Sequence, residues 1–180
     1  DHIEGNAGND TLIDPDGSGF LDGGPGNDTL DGMPSYENDP AGVVINMDIA
    51  EWDVHGDGSL LVAARTAVDG YGDIDTLQAG VRNLHGSFHG DQVRGSEFGQ
   101  WMNLRAGDDT VYALGGDDNV RGGSGNDTID GGDGFDRVDY QADEFDGGPT
   151  PAWQGVVVNL SQSDFNYGDG IALANTAIDN

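Results

Sequence analysis

From Leu77 to Asp139 the chain runs through seven consecutive frames of nine residues. A fixed period of this kind commits a chain to stacked structural units. The clearest frame, Gly122-Gly123-Ser124-Gly125-Asn126-Asp127-Thr128-Ile129-Asp130, has the form Gly-Gly-x-Gly-x-Asp-x-U-x, with U a large apolar residue. The next frame keeps Asp136 and Val138 in the same slots. Earlier frames drift in their glycines, but the eighth position stays apolar through Leu84, Val93, Met102, Val111, Val120, Ile129 and Val138. Three more frames, Gly5 to Ile13, Asp14 to Asp22 and Gly23 to Asp31, form a second array near the start, and Asp1-His2-Ile3-Glu4 reads as the tail of another.

The first six positions of a frame, rich in glycine, can take positive φ angles, turn sharply and expose carbonyl oxygens. The last three predict a short strand whose middle residue points inward and whose neighbours point outward. If two frames make one turn, aspartates eighteen residues apart sit one above the other, separated by about 4.8 Å of strand spacing. The pairs are Asp10/Asp28, Asp91/Asp109, Asp109/Asp127 and Asp118/Asp136. Carboxylates at that distance repel unless a hard dication bridges them. Backbone carbonyls, such as those of Gly5, Gly23, Gly122 and Gly131, can complete the all-oxygen shell of six to eight ligands that calcium accepts. Gln100 and Gly19 stand in the aspartate slot of their frames, so sites there are expected to be weak or missing.

These frames resemble the repeats-in-toxin (RTX, haemolysin-type) family of calcium-binding nonapeptides, over Asp1 to Asp31 and Leu77 to Asp139, about half of the chain. The resemblance implies an all-β parallel β-roll that folds on binding several calcium ions. It also implies an extracellular location, commonly reached by type I secretion from a Gram-negative bacterium. The segment Gly80-Val81-Arg82-Asn83-Leu84-His85-Gly86-Ser87-Phe88 is similar to stretches between RTX arrays in very large bacterial proteins.

Composition agrees with that expectation. The formal charge is −28, from 34 acidic residues against six arginines, with no lysine. Such a chain repels nucleic-acid phosphates and has no basic patch for an anionic membrane. Without a counter-ion, high net charge with modest hydrophobicity favours disorder. There is no cysteine, so metal is the available cross-link. No transmembrane run or signal peptide is present, and the chain reads as a piece of something longer.

A longer repeat overlies the short one. Gly26-Asn27-Asp28-Thr29-Leu30-Asp31 recurs from Gly125, Gly42-Val43-Val44-Ile45-Asn46-Met47 from Gly155, and Thr66-Ala67-Val68-Asp69 from Thr176, at a period of 99 to 113 residues. The organisation is therefore a first array (Asp1 to Asp31), a β-rich insert (Gly32 to Thr76), a second array (Leu77 to Asp139) and the start of a second, truncated insert (Tyr140 to Asn180). In the first insert, Val43, Ile45 and Met47 alternate on one face of a strand, and Leu60 to Ala64 is a second apolar run. Gly32 to Leu77 spans 45 residues, a multiple of nine, which favours an unbroken roll with decorated turns. Asp53-Val54-His55-Gly56-Asp57-Gly58 resembles half an EF-hand loop, but Ala64 stands where the closing glutamate belongs, so a turn is expected, as at Asp14-Pro15-Asp16-Gly17.

No His-Glu-x-x-His or Gly-x-Ser-x-Gly occurs, and no enzyme activity is expected of these residues. His85 and His89 are four apart, but in a strand-and-turn frame their side chains diverge. The favoured function is a calcium-dependent structural repeat of a large secreted or surface protein, such as an adhesin stalk or sheath, partnered by neighbouring repeats or like subunits. The alternatives are a carrier domain for a secreted protease, lipase or epimerase, or a glycan-binding surface. For the last, Phe20 and Trp101 are apolar at an outward position, while Thr11/Thr29 and Thr110/Thr128 are short ladders better read as β-branched filler.

Overall fold

The computed structural model describes residues 2–139, together with the backbone of Val157–Leu160, Asn166–Tyr167, Gly170–Ile171 and Ala177–Ile178. The expected second insert, Tyr140 to Asn180, otherwise lies outside the described residues. The chain is all-β: each tripeptide at the end of a frame is a strand, and successive strands alternate between two faces. One face is a ten-stranded sheet containing Thr11–Ile13, Thr29–Asp31, Gln92–Ser96, Thr110–Leu114 and Thr128–Gly132. The other is built from His2–Glu4, Phe20–Asp22 and Met33–Pro34, then Asn83–His85, Trp101–Asn103, Asn119–Arg121 and Arg137–Asp139, with the Ser35–His85 bridge joining its two parts. Within each array, neighbouring strands pair in parallel at a step of eighteen residues, as in Leu12↔Leu30, Met102↔Val120 and Val111↔Ile129. The architecture is the parallel β-solenoid that the period dictates.

The eighth positions meet between the two faces. Leu12, Leu21, Leu30, Leu84, Val93, Met102, Val111, Val120 and Ile129 are all buried in one continuous core, with Ile3 and Val138 packed against its ends. Leu104 and Ala113, from the first position of their frames, join it. Because the strands are only three to five residues long, one inward residue per frame carries most of the apolar burial.

The insert joins the sheet instead of hanging from it. Between Thr29–Asp31 and Gln92–Ser96 lie three strands, in the order Ile74–Leu77, Thr66–Val68, Val44–Asn46. The outer two run parallel to the arrays, and Thr66–Val68 runs against both neighbours. Val43, Ile45 and Met47 are buried, as their alternation predicts. Trp52–Asp53 and Leu61–Val62 form a separate hairpin, so the second apolar run is a strand. Its loop is tied by the Asp53 carboxylate, which accepts N–H groups of Gly56 and Gly58. Asp14 and Asp16 close the earlier turn, accepting N–H groups of Gly19 and Ser18. In both places the structure has the turn that the sequence predicts.

The sheet is continuous, but not because of the multiple of nine. The insert pairs with its flanks as Leu77↔Leu30 and Ile45↔Val93, steps of 47 and 48 residues. Leu77 therefore belongs to the last strand of the insert, and the inward residue of the next strand, Leu84, comes only seven positions later on the other face, with Val81 joining the core between them. Beyond residue 139, Val157–Leu160 pairs antiparallel with Ala177–Ile178 (Val158↔Ala177), repeating the Ile45↔Ala67 partnership. The first copy's strand joins the array that follows it, whereas Val157–Leu160 joins the preceding strand Thr128–Gly132.

Close stacking of turns explains the glycines. A Cβ on Gly123 or Gly125 would strike the carbonyl oxygen of Arg105 or Gly107 in the turn below, and both glycines have positive φ, 94° and 146°. In three frames whose second position is not glycine, the same left-handed backbone is kept by Asn6, Arg105 and Leu114 at φ of 67°, 70° and 76°. Gly56 has φ of 72° but nothing near its missing Cβ. Gly123→Ala is therefore expected to cost about 2–5 kcal/mol, combining left-handed strain with collision. Gly56→Ala should cost about 1 kcal/mol from strain alone. Chemical denaturation of the folded chain measures both, and equal costs would contradict the stacking argument.

Candidate metal centres

Each rung of the aspartate ladder is made by two hydrogen bonds. The Asp10 N–H donates to Asp28 Oδ1 at 2.8 Å, and the Thr29 N–H returns to the Asp10 carbonyl at 2.9 Å. The Asp91 N–H donates to Asp109 Oδ1, and the Asp109 N–H to Asp127 Oδ1, at 2.8 and 3.1 Å. On the other face, the Asp118 N–H donates to Asp136 Oδ1 at 3.1 Å. All four eighteen-residue pairs read from the sequence are thus in contact. The Gln100 N–H enters the same ladder through Asp118 Oδ1, but its own side chain turns aside to Ser96 Oγ. Gly19 supplies no side chain and is held by Asp14.

These bonds use one carboxylate oxygen and leave the other. Oδ2 of Asp10, Asp28, Asp109, Asp118 and Asp136 is buried without a hydrogen-bond partner. A buried unsatisfied carboxylate oxygen is costly, so a row of them calls for compensation by a cation or, at lower pH, by protons. A Cβ on Gly23, Gly122 or Gly131 would run into the carboxylate of Asp28, Asp127 or Asp136 respectively. The sixth residue thus leans over the first of its own frame, and glycine there keeps the cradle open. No group of three or more His, Cys, Asp or Glu side chains converges on a metal position among the described residues. The donors present are therefore paired carboxylates and backbone carbonyls, a hard all-oxygen set that fits calcium.

The sequence profile of the RTX calcium-binding nonapeptide repeat matches residues 1–30, 16–34 and 105–138. Both arrays contain RTX repeats. No curated protein matches the chain. The RTX match leaves out residues 35–104, which are the rest of the insert and the second array's early frames, where Arg82 and Gln100 replace aspartate and the glycines thin out.

Several site residues differ from expectation. Asp91 does not present a free oxygen. Its Oδ1 accepts the Val43 N–H and Ser87 Oγ, and its Oδ2 accepts the Ser87 N–H. The Gly86-Ser87 turn curls back onto it, a local contact that periodicity does not reveal. Phe20 and Trp101 are half-buried instead of outward. Both rings pack on His85, at centroid distances of 4.4 and 5.2 Å. His85 is buried, its Nδ1 faces the Arg105 guanidinium, and Arg105 also pairs with Glu37. His89 is exposed, so the two histidines do diverge.

Sequence reasoning missed Asp75. It sits on the strand Ile74–Leu77 and is 1% exposed, with Asp39 and Asp69 also buried nearby. The signal was the triplet Asp75-Thr76-Leu77, which repeats Asp10-Thr11-Leu12 and Asp28-Thr29-Leu30 without the glycine half of a frame.

Removing these carboxylates from water raises their pKa values. Burial first, then the neighbouring carboxylates Asp91, Asp127 and Asp108, push Asp109 up to about 9. Burial moves Asp118 and Asp75 to about 7, and Asp127 and Asp91 to about 6, and raises Asp28 and Asp136 as well. The unfolded chain has ordinary carboxylates, so above about pH 4 the metal-free fold binds more protons than the unfolded chain and loses stability as pH rises. Metal-stripped protein should therefore show strand by circular dichroism near pH 4–5 and lose it as pH climbs through about 6–9. A metal-free fold that instead strengthens across that window would contradict the buried, unpaired state of the ladder.

Proposed function

We propose that this chain is a calcium-binding structural repeat module of a large secreted or cell-surface bacterial protein, folding when calcium enters the aspartate ladder. The observation that carries this reading is the row of buried, unpartnered Oδ2 atoms above the glycine cradles. Asp10, Asp28, Asp109, Asp118, Asp127 and Asp136 would hold the ions together with turn carbonyls. Asp91 would contribute less directly, through the Ser87 turn. Calcium, when bound, supplies positive charge that offsets the mutual repulsion of the ladder and of a chain at −28.

The absence of cysteine supports the reading, because calcium can do in an extracellular module what a disulfide otherwise does. Stacking on like units is part of the proposal: the end strands of the solenoid are sheet edges that a further turn can pair with. The packing of Phe20 and Trp101 on His85 weighs against a glycan-stacking role for these rings.

Calcium titration at neutral pH should convert coil to strand in the far-ultraviolet spectrum. Magnesium should substitute poorly, since it demands a tight octahedral shell. A chain equally folded in excess chelator at neutral pH would sink the proposal. Within the ladder, Asp109 serves two rungs, whereas Asp133 is exposed and lies outside the slot. Asp109→Ala should raise the calcium midpoint by about tenfold or more, equivalent to ~1.4 kcal/mol. Asp133→Ala should leave it nearly unchanged, and similar midpoints for the two variants would refute the assigned register.

A further inference from the structure

The hairpin of the insert, Thr66–Val68 and Ile74–Leu77, rebuilds the second half of a repeat frame on top of the first array. Three hydrogen bonds establish the equivalence. In the first array the Asn27 N–H donates to Asn9 Oδ1, the Asp10 N–H to Asp28 Oδ1, and the Thr29 N–H to the Asp10 carbonyl. One level further, the Ile74 N–H donates to Asn27 Oδ1 at 2.7 Å, the Asp28 N–H to Asp75 Oδ1 at 2.8 Å, and the Thr76 N–H to the Asp28 carbonyl at 2.7 Å. Asp75 is thus the next rung after Asp28, although 47 residues separate them and no nonapeptide precedes it.

What the hairpin lacks is the glycine-rich turn whose carbonyls would complete a shell. Acidic side chains stand there instead. Asp69 is 5% exposed; its Oδ1 accepts the N–H groups of Tyr71 and Asp73, and its Oδ2 is buried without a partner. Asp39 is 7% exposed and accepts the Gly70 N–H. Asp28 is 1% exposed, and its Oδ2 is likewise unpartnered. The ring of Tyr36, 3% exposed, lies beside Asp75, and its hydroxyl makes no well-formed hydrogen bond. Two separate buried carboxylate oxygens at this seam therefore lack any donor from the protein.

We propose that Asp28 and Asp75, backed by Asp69 and Asp39, hold one further divalent cation of the calcium class at the seam between the first array and the insert. This rests on the calcium reading of the repeats but adds Asp39, Asp69 and Asp75, which lie outside the matched repeats. The donors are all hard oxygens, with no nitrogen or sulfur ligand, which favours calcium over zinc or copper. Since no three carboxylates converge on one point among the described residues, the site is of ladder type, with two carboxylates in the rung and neighbouring acids and carbonyls around it. An ion there would clamp the insert to the array, a junction otherwise made by a short parallel strand pair.

The test is equilibrium dialysis of the whole chain against calcium. Asp75→Asn should bind one ion fewer than the unaltered chain, and Asp57→Asn, in the exposed hairpin turn, should bind the same number. Terbium, with its emission excited through aromatic residues, gives a second readout. Emission lost in Asp75→Asn should also be lost in Tyr36→Phe, because Tyr36 is the buried ring beside that rung. Undiminished ion binding by Asp75→Asn, or unchanged emission from Tyr36→Phe, would overturn the site. If the unaltered chain binds no calcium, the reading of the repeats falls together with it. If Asp109→Ala weakens binding while Asp75→Asn does not, this inference alone falls.

Discussion

The structure depends on one hydrogen bond repeated along its edge: a peptide N–H in one turn donating to the aspartate carboxylate of the next. That bond aligns successive turns, fixes the step at eighteen residues and tilts the carboxylate so that one oxygen is used and the other is stranded. Gln100, which stands in the same slot, donates its N–H to Asp118 but turns its own side chain to Ser96, so it brings no carboxylate to the ladder. Aspartate is the choice of a chain that expects a cation. The cost of burying the second oxygen is what couples the shape of the roll to the presence of an ion.

The glycine cradles and the inward apolar row are consequences of that alignment. With turns stacked so closely, a Cβ on glycines such as Gly122, Gly123 and Gly125, at the first, second and fourth positions, would meet the aspartate of the same frame or a carbonyl of the turn below. Other frames accommodate Leu104 or Ala113 at the first position and Asn6, Arg105 or Leu114 at the second. With strands this short, a single inward residue per frame must fill the gap between the faces. The core is therefore a narrow file of Leu, Val, Ile and Met with little redundancy. Loss of one member leaves a cavity that no neighbouring layer can close.

The ladder and the core were legible in the sequence because both obey a fixed period, so that Asp28 and Leu30 announce Asp10 and Leu12. What was not legible is non-local or re-phased. Asp75 reaches its rung through a hairpin, so its separation from Asp28 matches no multiple of nine. Leu77 fits the frame count by coincidence but closes a strand of the insert. Phe20 and Trp101 look outward by position, yet His85, held by Arg105, packs against both rings and half-buries them. Asp91 is saturated by a serine only four residues away, a contact set by the Gly86-Ser87 turn.

The insert places three strands on one face between Thr29–Asp31 and Gln92–Ser96, where an undisturbed roll has room for one. On the opposite face, Ser35 bridges directly to His85 and nothing is added. At the usual strand spacing the first face is longer by roughly 10 Å. The two faces therefore count unequal numbers of strands across the insert, and the excess on the first face has to be taken up there, where the regular alternation of the arrays is interrupted.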